Sequence, residues 1–387
     1  MNRLLVLTAA VLVMLVAPQP ASAQSQNEAL RAEFEAVIDG LNDNSFKLFH
    51  EMVDQRAMLN RVIGTYVISP DIRDPLGNDP REWIESAFKS SFPPSKKEIL
   101  GTVVAFEVYE GSARALVRWE SSGFRFSYHI YELEVRGSKS LKIVDWIDYY
   151  QAGRFSELVA QSFVYVMPTA EATLQLLEDK NRSEGEVFQM GELFKTVRDT
   201  RHDRFFEIYD AMEESLRSEK IVTKLNLDMA MSWNDAGRTG RAYQSIVATF
   251  PQDPLYSLRL IGFYIATRQF EKVIPEIETL QAGLGVTDGV TESLKVSAAM
   301  ALGEFALAEE LAINATRVEP NLELSWWSLL RARTAAQDWA GATEAMTELE
   351  DRFGHLLIPQ KLRRDRFLKA LINQQEYKDW RAARDAG

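Results

Sequence analysis

The chain has 387 residues, 44 basic and 56 acidic side chains, a formal net charge of −12 and no cysteine. Its length gives room for two or three domains, and its 46% hydrophobic and 26% charged content excludes both wholesale disorder and a polytopic membrane protein. The missing cysteine excludes disulfides, thiolate metal sites, iron–sulfur clusters and a cysteine nucleophile, and the acidic balance argues against DNA or RNA as a partner.

Asn2 and Arg3 form a short positive start, Leu4 to Ala17 is apolar and uncharged, Pro18-Gln19-Pro20 breaks the run, and Ala21-Ser22-Ala23 is a small-x-small cleavage site. This order reads as a secretory signal peptide over residues 1–23. The alternative is a membrane anchor, but a span needs roughly 20 apolar residues and the run is shorter. No later segment is apolar enough to cross a membrane. An exported, acidic, cysteine-free chain fits the bacterial periplasm, with secretion as the alternative.

Residues 24–158 read as helices followed by strands. Leu30, Phe34, Val37, Ile38 and Leu41 make one helical stripe. Asn44-Ser45 is placed to cap a second helix carrying Phe46, Leu48, Phe49, Met52 and Met58, and Pro80 opens a third with Trp83, Ile84, Ala87 and Phe88 inward. The period then changes to two. Gly101–Tyr109, Ala113–Glu120, Phe124–Val135 and Leu141–Tyr150 read as four strands of an antiparallel meander. Pairing through short turns sets Phe106 opposite Ala115, Ala115 opposite His129, Val117 opposite Ser127 and Tyr131 opposite Asp145. One face then carries Val104, Phe106, Val108, Ala113, Ala115, Val117, Trp119, Leu133, Val135, Ile143 and Ile147, with His129, Tyr131 and Asp145 set into it. The other carries Arg114, Arg118, Glu120, Glu132, Glu134, Lys142 and Asp148, which reads as a solvated or partner-facing surface. A bulge would exchange faces beyond it.

Helices followed by a curved meander whose last hairpin is "FRFSYHIYELEVRGSKSLKIVDW" resemble the nuclear transport factor two-like superfamily. The resemblance covers roughly 130 residues and implies a cone-shaped α+β domain, often with a pocket. The superfamily contains both enzymes and binding modules, so it implies no particular activity.

Residues 159–387 carry a helical pattern with an internal repeat. Phe270, Phe305, Trp339 and Tyr377 are spaced by 35, 34 and 38 residues, and Val273, Ala308, Ala342 and Trp380 each follow three residues later. Ala242 occupies the matching position one unit upstream, and Pro254 and Pro320 each lie twelve residues after their alanines. "GRTGRAYQSIVATFPQDP" and "LGEFALAEELAINATRVEPN" resemble tetratricopeptide repeats, in which a small residue sits where two helices of a hairpin cross. The resemblance implies an all-α solenoid of five or six hairpins with a C-terminal cap around Trp380, and a groove that takes a protein or peptide. Its spacing places Trp327 and Arg331, and one unit upstream Met231 and Asn234, on the groove side. The junction segment "SELVAQSFVYVMP" reads as a continuing apolar helix, so the two regions are expected to pack on each other.

Two functional readings follow. In the first, the chain is a non-enzymatic periplasmic interaction protein with Trp327, Arg331, Met231 and Asn234 on its binding surface. In the second, His129, Tyr131 and Asp145 form an acid–base or small-ligand site in the cone, a carboxylate orienting a histidine. The same three groups equally satisfy one another inside a core. His50, His202 and His355 lack metal-ligand spacing, and Asp71, Asp74 and Asp79 lack the alternation of a calcium loop, so no metal or cofactor is assigned. Lys361, Arg363, Arg364 and Arg366 form a basic run on an acidic chain.

Overall fold

The computed structural model describes residues 21–90, 92, 99–121, 125–137 and 140–386. The leader therefore lies outside the described residues except for Ala21–Ala23. Those three begin α1 (Ala21–Asn42), followed by α2 (Lys47–Met52), α3 (Gln55–Thr65), α4 (Pro70–Leu76) and α5 (Pro80–Ser90). The stripe Leu30, Phe34, Val37 and Ile38 is fully buried. The expected second helix is two helices. Val53 leaves the helical path to bridge Ile143, and the Asp54 carboxylate then caps α3 by accepting from the Ala57 amide at 2.9 Å.

A five-stranded antiparallel sheet follows in the order β1 (Ile99–Tyr109), β2 (Ser112–Ser121), β3 (Arg125–Arg136), β4 (Ser140–Asp148) and β5 (Gly153–Arg154). The first hairpin has the expected register, with Phe106 opposite Ala115 and Gly111 at φ 73° in the turn. The second is offset by two residues, because the strands pair up to Ser121 and Arg125. Val117 therefore faces His129, and Ala115 faces Tyr131. A two-residue offset keeps every side chain on its face.

Two bulges do change faces. One between Val103 and Ala105 turns Val104 to the outer face and leaves Val103 on the inner face. The other, between Glu132 and Leu133 against β4, brings Trp146 opposite Tyr131 and Asp148 opposite His129. Asp148, expected outside, thus faces His129, while Ile147, expected inside, packs on the outer face.

The inner face of the sheet closes on α1 to α5 through a core containing Phe34, Phe49, Phe88, Trp119, Tyr131 and Trp146. The outer face is partner-facing over much of its area, and solvated where Glu134, 49% exposed, stands. Leu116, Tyr128 and Ile130 alternate with its charged residues and join a second core built from the helices that follow.

Those helices are α6 (Phe155–Val166), α7 (Ala170–Leu176), α8 (Glu184–Arg198), α9 (His202–Asp210) and α10 (Glu214–Arg217). Four hairpins come next: α11 (Lys220–Trp233) with α12 (Ala236–Thr249), α13 (Pro254–Ala266) with α14 (Val273–Leu284), α15 (Gly289–Leu302) with α16 (Phe305–Val318), and α17 (Glu323–Ala336) with α18 (Trp339–Phe353). The chain ends with α19 (Pro359–Leu362) and α20 (Gln375–Ala386). The result is an α+β region followed by a helical solenoid. Ala242, Val273, Ala308 and Ala342 are all fully buried where their hairpins cross. Aspartates 235, 253, 288 and 338 cap α12, α13, α15 and α18 with their side chains. Trp380 of α20 donates from Nε1 to Thr347 Oγ1 on α18 at 2.9 Å.

Helix α6 ties the regions together. Phe155, Val159 and Ala160 belong to the core on the sheet's inner face, and Val164 belongs to the solenoid core. The 158/159 division falls inside this helix.

Candidate binding clefts and the buried histidine

The inner face of the sheet brings His129 and Tyr131 together, with His129 Nδ1 3.3 Å from the Tyr131 hydroxyl. It does not bring Asp145 to them. The carboxylate opposite His129 is Asp148, whose Oδ2 lies 3.6 Å from His129 Nε2 and whose Oδ1 accepts from the amides of Tyr150 and Gln151. No periodicity argument finds Asp148, because the bulge in β3 and β4 decides its face. Burial pushes the Tyr131 phenol well above its ordinary pKa, and the Asp148 charge adds to the effect. The His129 ring is packed against Phe88, Phe92, Trp119 and Trp146, with Phe92 stacked at 5.4 Å.

Asp145 serves a joint instead. It accepts from the Ser156 hydroxyl at 2.6 Å and from the amides of Ser156 and Trp146, fixing the start of α6 to β4. Burial raises its pKa against those hydrogen bonds. Arg61 donates to Glu132 and Asp145, and the Tyr66 hydroxyl accepts from Gln161.

Trp327 and Arg331 share a cleft of about 570 Å³ at the C-terminal end of the solenoid. The Trp327 indole donates to Glu323 Oε1 at 2.9 Å, and the His355 ring meets it edge-on at 5.2 Å. The Arg331 guanidinium lies 5.7 Å from the Trp327 ring centre and donates to Asp365 Oδ2 at 2.7 Å. Trp326 points elsewhere and donates to the Pro320 carbonyl. The basic run supplies the other wall. Lys361 and Arg364 line the cleft, are exposed, and form no ion pair among the described residues. Leu356, 49% exposed, adds an apolar surface.

Met231 is 44% exposed and lines a second cavity, of about 400 Å³, nearer the middle of the solenoid. First helices of hairpins line most of the helical wall of the two cavities, joined by Tyr243 of α12 in one and by Lys361 and Leu362 of α19 in the other, and Glu120 of β2 borders both. Asn234 lines neither. It ends α11 in the left-handed conformation at φ 59°, ψ 32°, its amide donating to Ala230 and Met231 carbonyls.

Among the described residues no helix is long and apolar enough to cross a membrane. No protein-family model matches the chain, and no curated protein matches it. Among solved structures, it is similar to the crystal structure of PilW, a widely conserved type IV pilus biogenesis factor. The likeness has 12% identity and a TM-score of 0.34, and covers 53% of this chain and 94% of that one.

Proposed function

We propose that the protein is an exported, periplasmic interaction scaffold. In this reading residues 1–23 are a cleaved signal peptide, residues 24–158 form a nuclear transport factor two-like domain, and residues 159–387 form a tetratricopeptide-like solenoid. The scaffold holds a protein or peptide segment in the cleft around Trp327 and Arg331. The observation that carries this reading is the cleft's composition. An aromatic ring, an exposed leucine and two cations without ion-pair partners meet in one concavity, and buried aromatic and arginine anchors dominate binding energies at protein interfaces. Lys361 and Arg364 favour a segment with an acidic residue beside an apolar side chain. The packing of aromatic rings around His129 favours a structural role for that histidine over acid–base chemistry.

The test is capture from periplasmic extract by immobilised wild-type protein and by Trp327→Ala and Arg331→Ala. Loss of an anchor costs about 2 kcal/mol, or roughly 30-fold in affinity. A partner retained equally by both variants places the binding surface elsewhere.

A further inference from the structure

The second cavity, between the sheet and the solenoid, has features of a built site. Trp119 and Phe126 form the sheet side, and Met231, Ile261, Ile265 and Leu294 face them from α11, α13 and α15. Its volume of about 400 Å³ and its place between two packed units match small-molecule sites in general. Met231 and Ile265, 44% and 39% exposed, stand where a ligand would enter.

Three observations go beyond shape. The first is Gly262, in the interior of α13 and in the cavity wall. A mid-helix glycine costs roughly 1 kcal/mol relative to alanine. Gly262 has no left-handed backbone to justify it, and a side chain built there meets nothing within 4 Å. A side chain at this exposed position of the wall would extend into open space. The second is Ser127, which lines the cavity, is 4% exposed, and has a buried hydroxyl with no hydrogen-bond partner among the described residues. A buried polar group ordinarily has a partner. The third is charge. Arg259 already donates to Asp228 and to the Tyr150 carbonyl, and Glu120 already accepts from Arg118. The cation in the wall, Arg259, is therefore already paired within the chain, and Glu120 shares Arg118 with Asp288 and Glu319, so among the described residues no free cation awaits an anionic ligand.

We propose that this cavity binds a neutral, largely apolar small molecule carrying one hydrogen-bonding group, which Ser127 engages. The site is separate from the Trp327 cleft and does not rest on the scaffold reading.

The test is a fluorescence titration of the full mature chain with N-phenyl-1-naphthylamine, a neutral apolar probe. The expected result is one saturable site whose affinity falls at least tenfold in Gly262→Leu, which fills the cavity from α13, and in Met231→Trp, which fills it from α11. Ser127→Ala should weaken binding about threefold, and Trp327→Ala should leave it unchanged. Thermal melts separate filling from unfolding, because Gly262→Leu should melt no lower than the wild type. Absence of saturable binding overturns the proposal. So does equal affinity in both filling variants, or loss of binding in Trp327→Ala.

Discussion

Both faces of the β-sheet pack against helices, by opposite means. The inner face packs rings: Phe49, Phe88, Trp119, Tyr131 and Trp146 surround an interior that encloses one histidine, His129, and one carboxylate, Asp148. The outer face packs charge. Arg118, 2% exposed, donates through Nη1 to Asp288 at 3.0 Å and to Glu319 at 2.8 Å, through Nη2 to Glu319 at 2.9 Å, and through Nε to Glu120 at 2.7 Å. The Tyr128 hydroxyl donates to the same Asp288, whose other oxygen caps α15 at the Thr291 amide. The inner face specifies a fold by shape. The outer face specifies how the sheet meets the solenoid, because a buried guanidinium tolerates few geometries. Alternating charge along a strand is therefore no proof of a solvated face.

The largest expected effect tests this contrast directly. Arg118→Met leaves the Asp288 side chain, 1% exposed, without its cation. Removing one member of a buried pair costs roughly 3–5 kcal/mol. Urea denaturation should show that loss, and adding Asp288→Asn should recover part of it by removing the stranded charge. A loss below about 1 kcal/mol in the single variant would mean that the cluster is no more than a surface network.

A smaller effect comes from Lys224 of α11, at the same junction. Burial pulls its pKa down to about 8, and Arg259 adds to that, against the attraction of Asp228, Asp148 and Glu157. The sign follows from linkage. The unfolded chain holds this proton up to about 10.5 and the folded chain releases it near 8, so the unfolded state binds more protons in between. Stability contributed by this group should rise as pH increases from about 8 to 10.5. Lys224→Met should raise stability at pH 7 by roughly 1–3 kcal/mol and flatten that rise. Denaturation at pH 7.5 and 9.5 checks both. An equal pH dependence in wild type and variant would assign the charge cost of the junction to other groups.

How much of this was legible in the sequence depends on what decided each position. The stripe of α1 and the hairpin crossings at Ala242, Ala308 and Ala342 were legible, because helical period and repeat spacing are local. Trp327 and Arg331, one turn apart on α17, were placed together on the same grounds. Asp148 was not, because a bulge opposite Glu132 decides whether it or Asp145 meets the histidine, and no residue pattern marks that bulge. The burial of the outer face was half legible. Leu116, Tyr128 and Ile130 lie between its charges, but the partners that make burial tolerable, Asp288 and Glu319, lie 170 and 201 residues away from Arg118 in the chain.

The smallest expected effect separates the two residues that repeat spacing grouped as one surface, Trp327 and Asn234. Asn234 sits at φ 59°, where a residue with a β-carbon is strained unless it is asparagine or aspartate. Asn234→Gly should change stability by no more than about 0.5 kcal/mol, since glycine adopts that conformation freely. Asn234→Val should cost about 1–2 kcal/mol, because a branched side chain cannot relax there. Neither substitution should alter partner capture. Trp327→Ala should behave in the opposite way, with capture reduced and stability little changed, since the ring is partly exposed in its cleft. If Asn234→Gly weakened capture while leaving stability intact, the binding surface would extend along α11, and the helix-ending role assigned to Asn234 would not account for the residue.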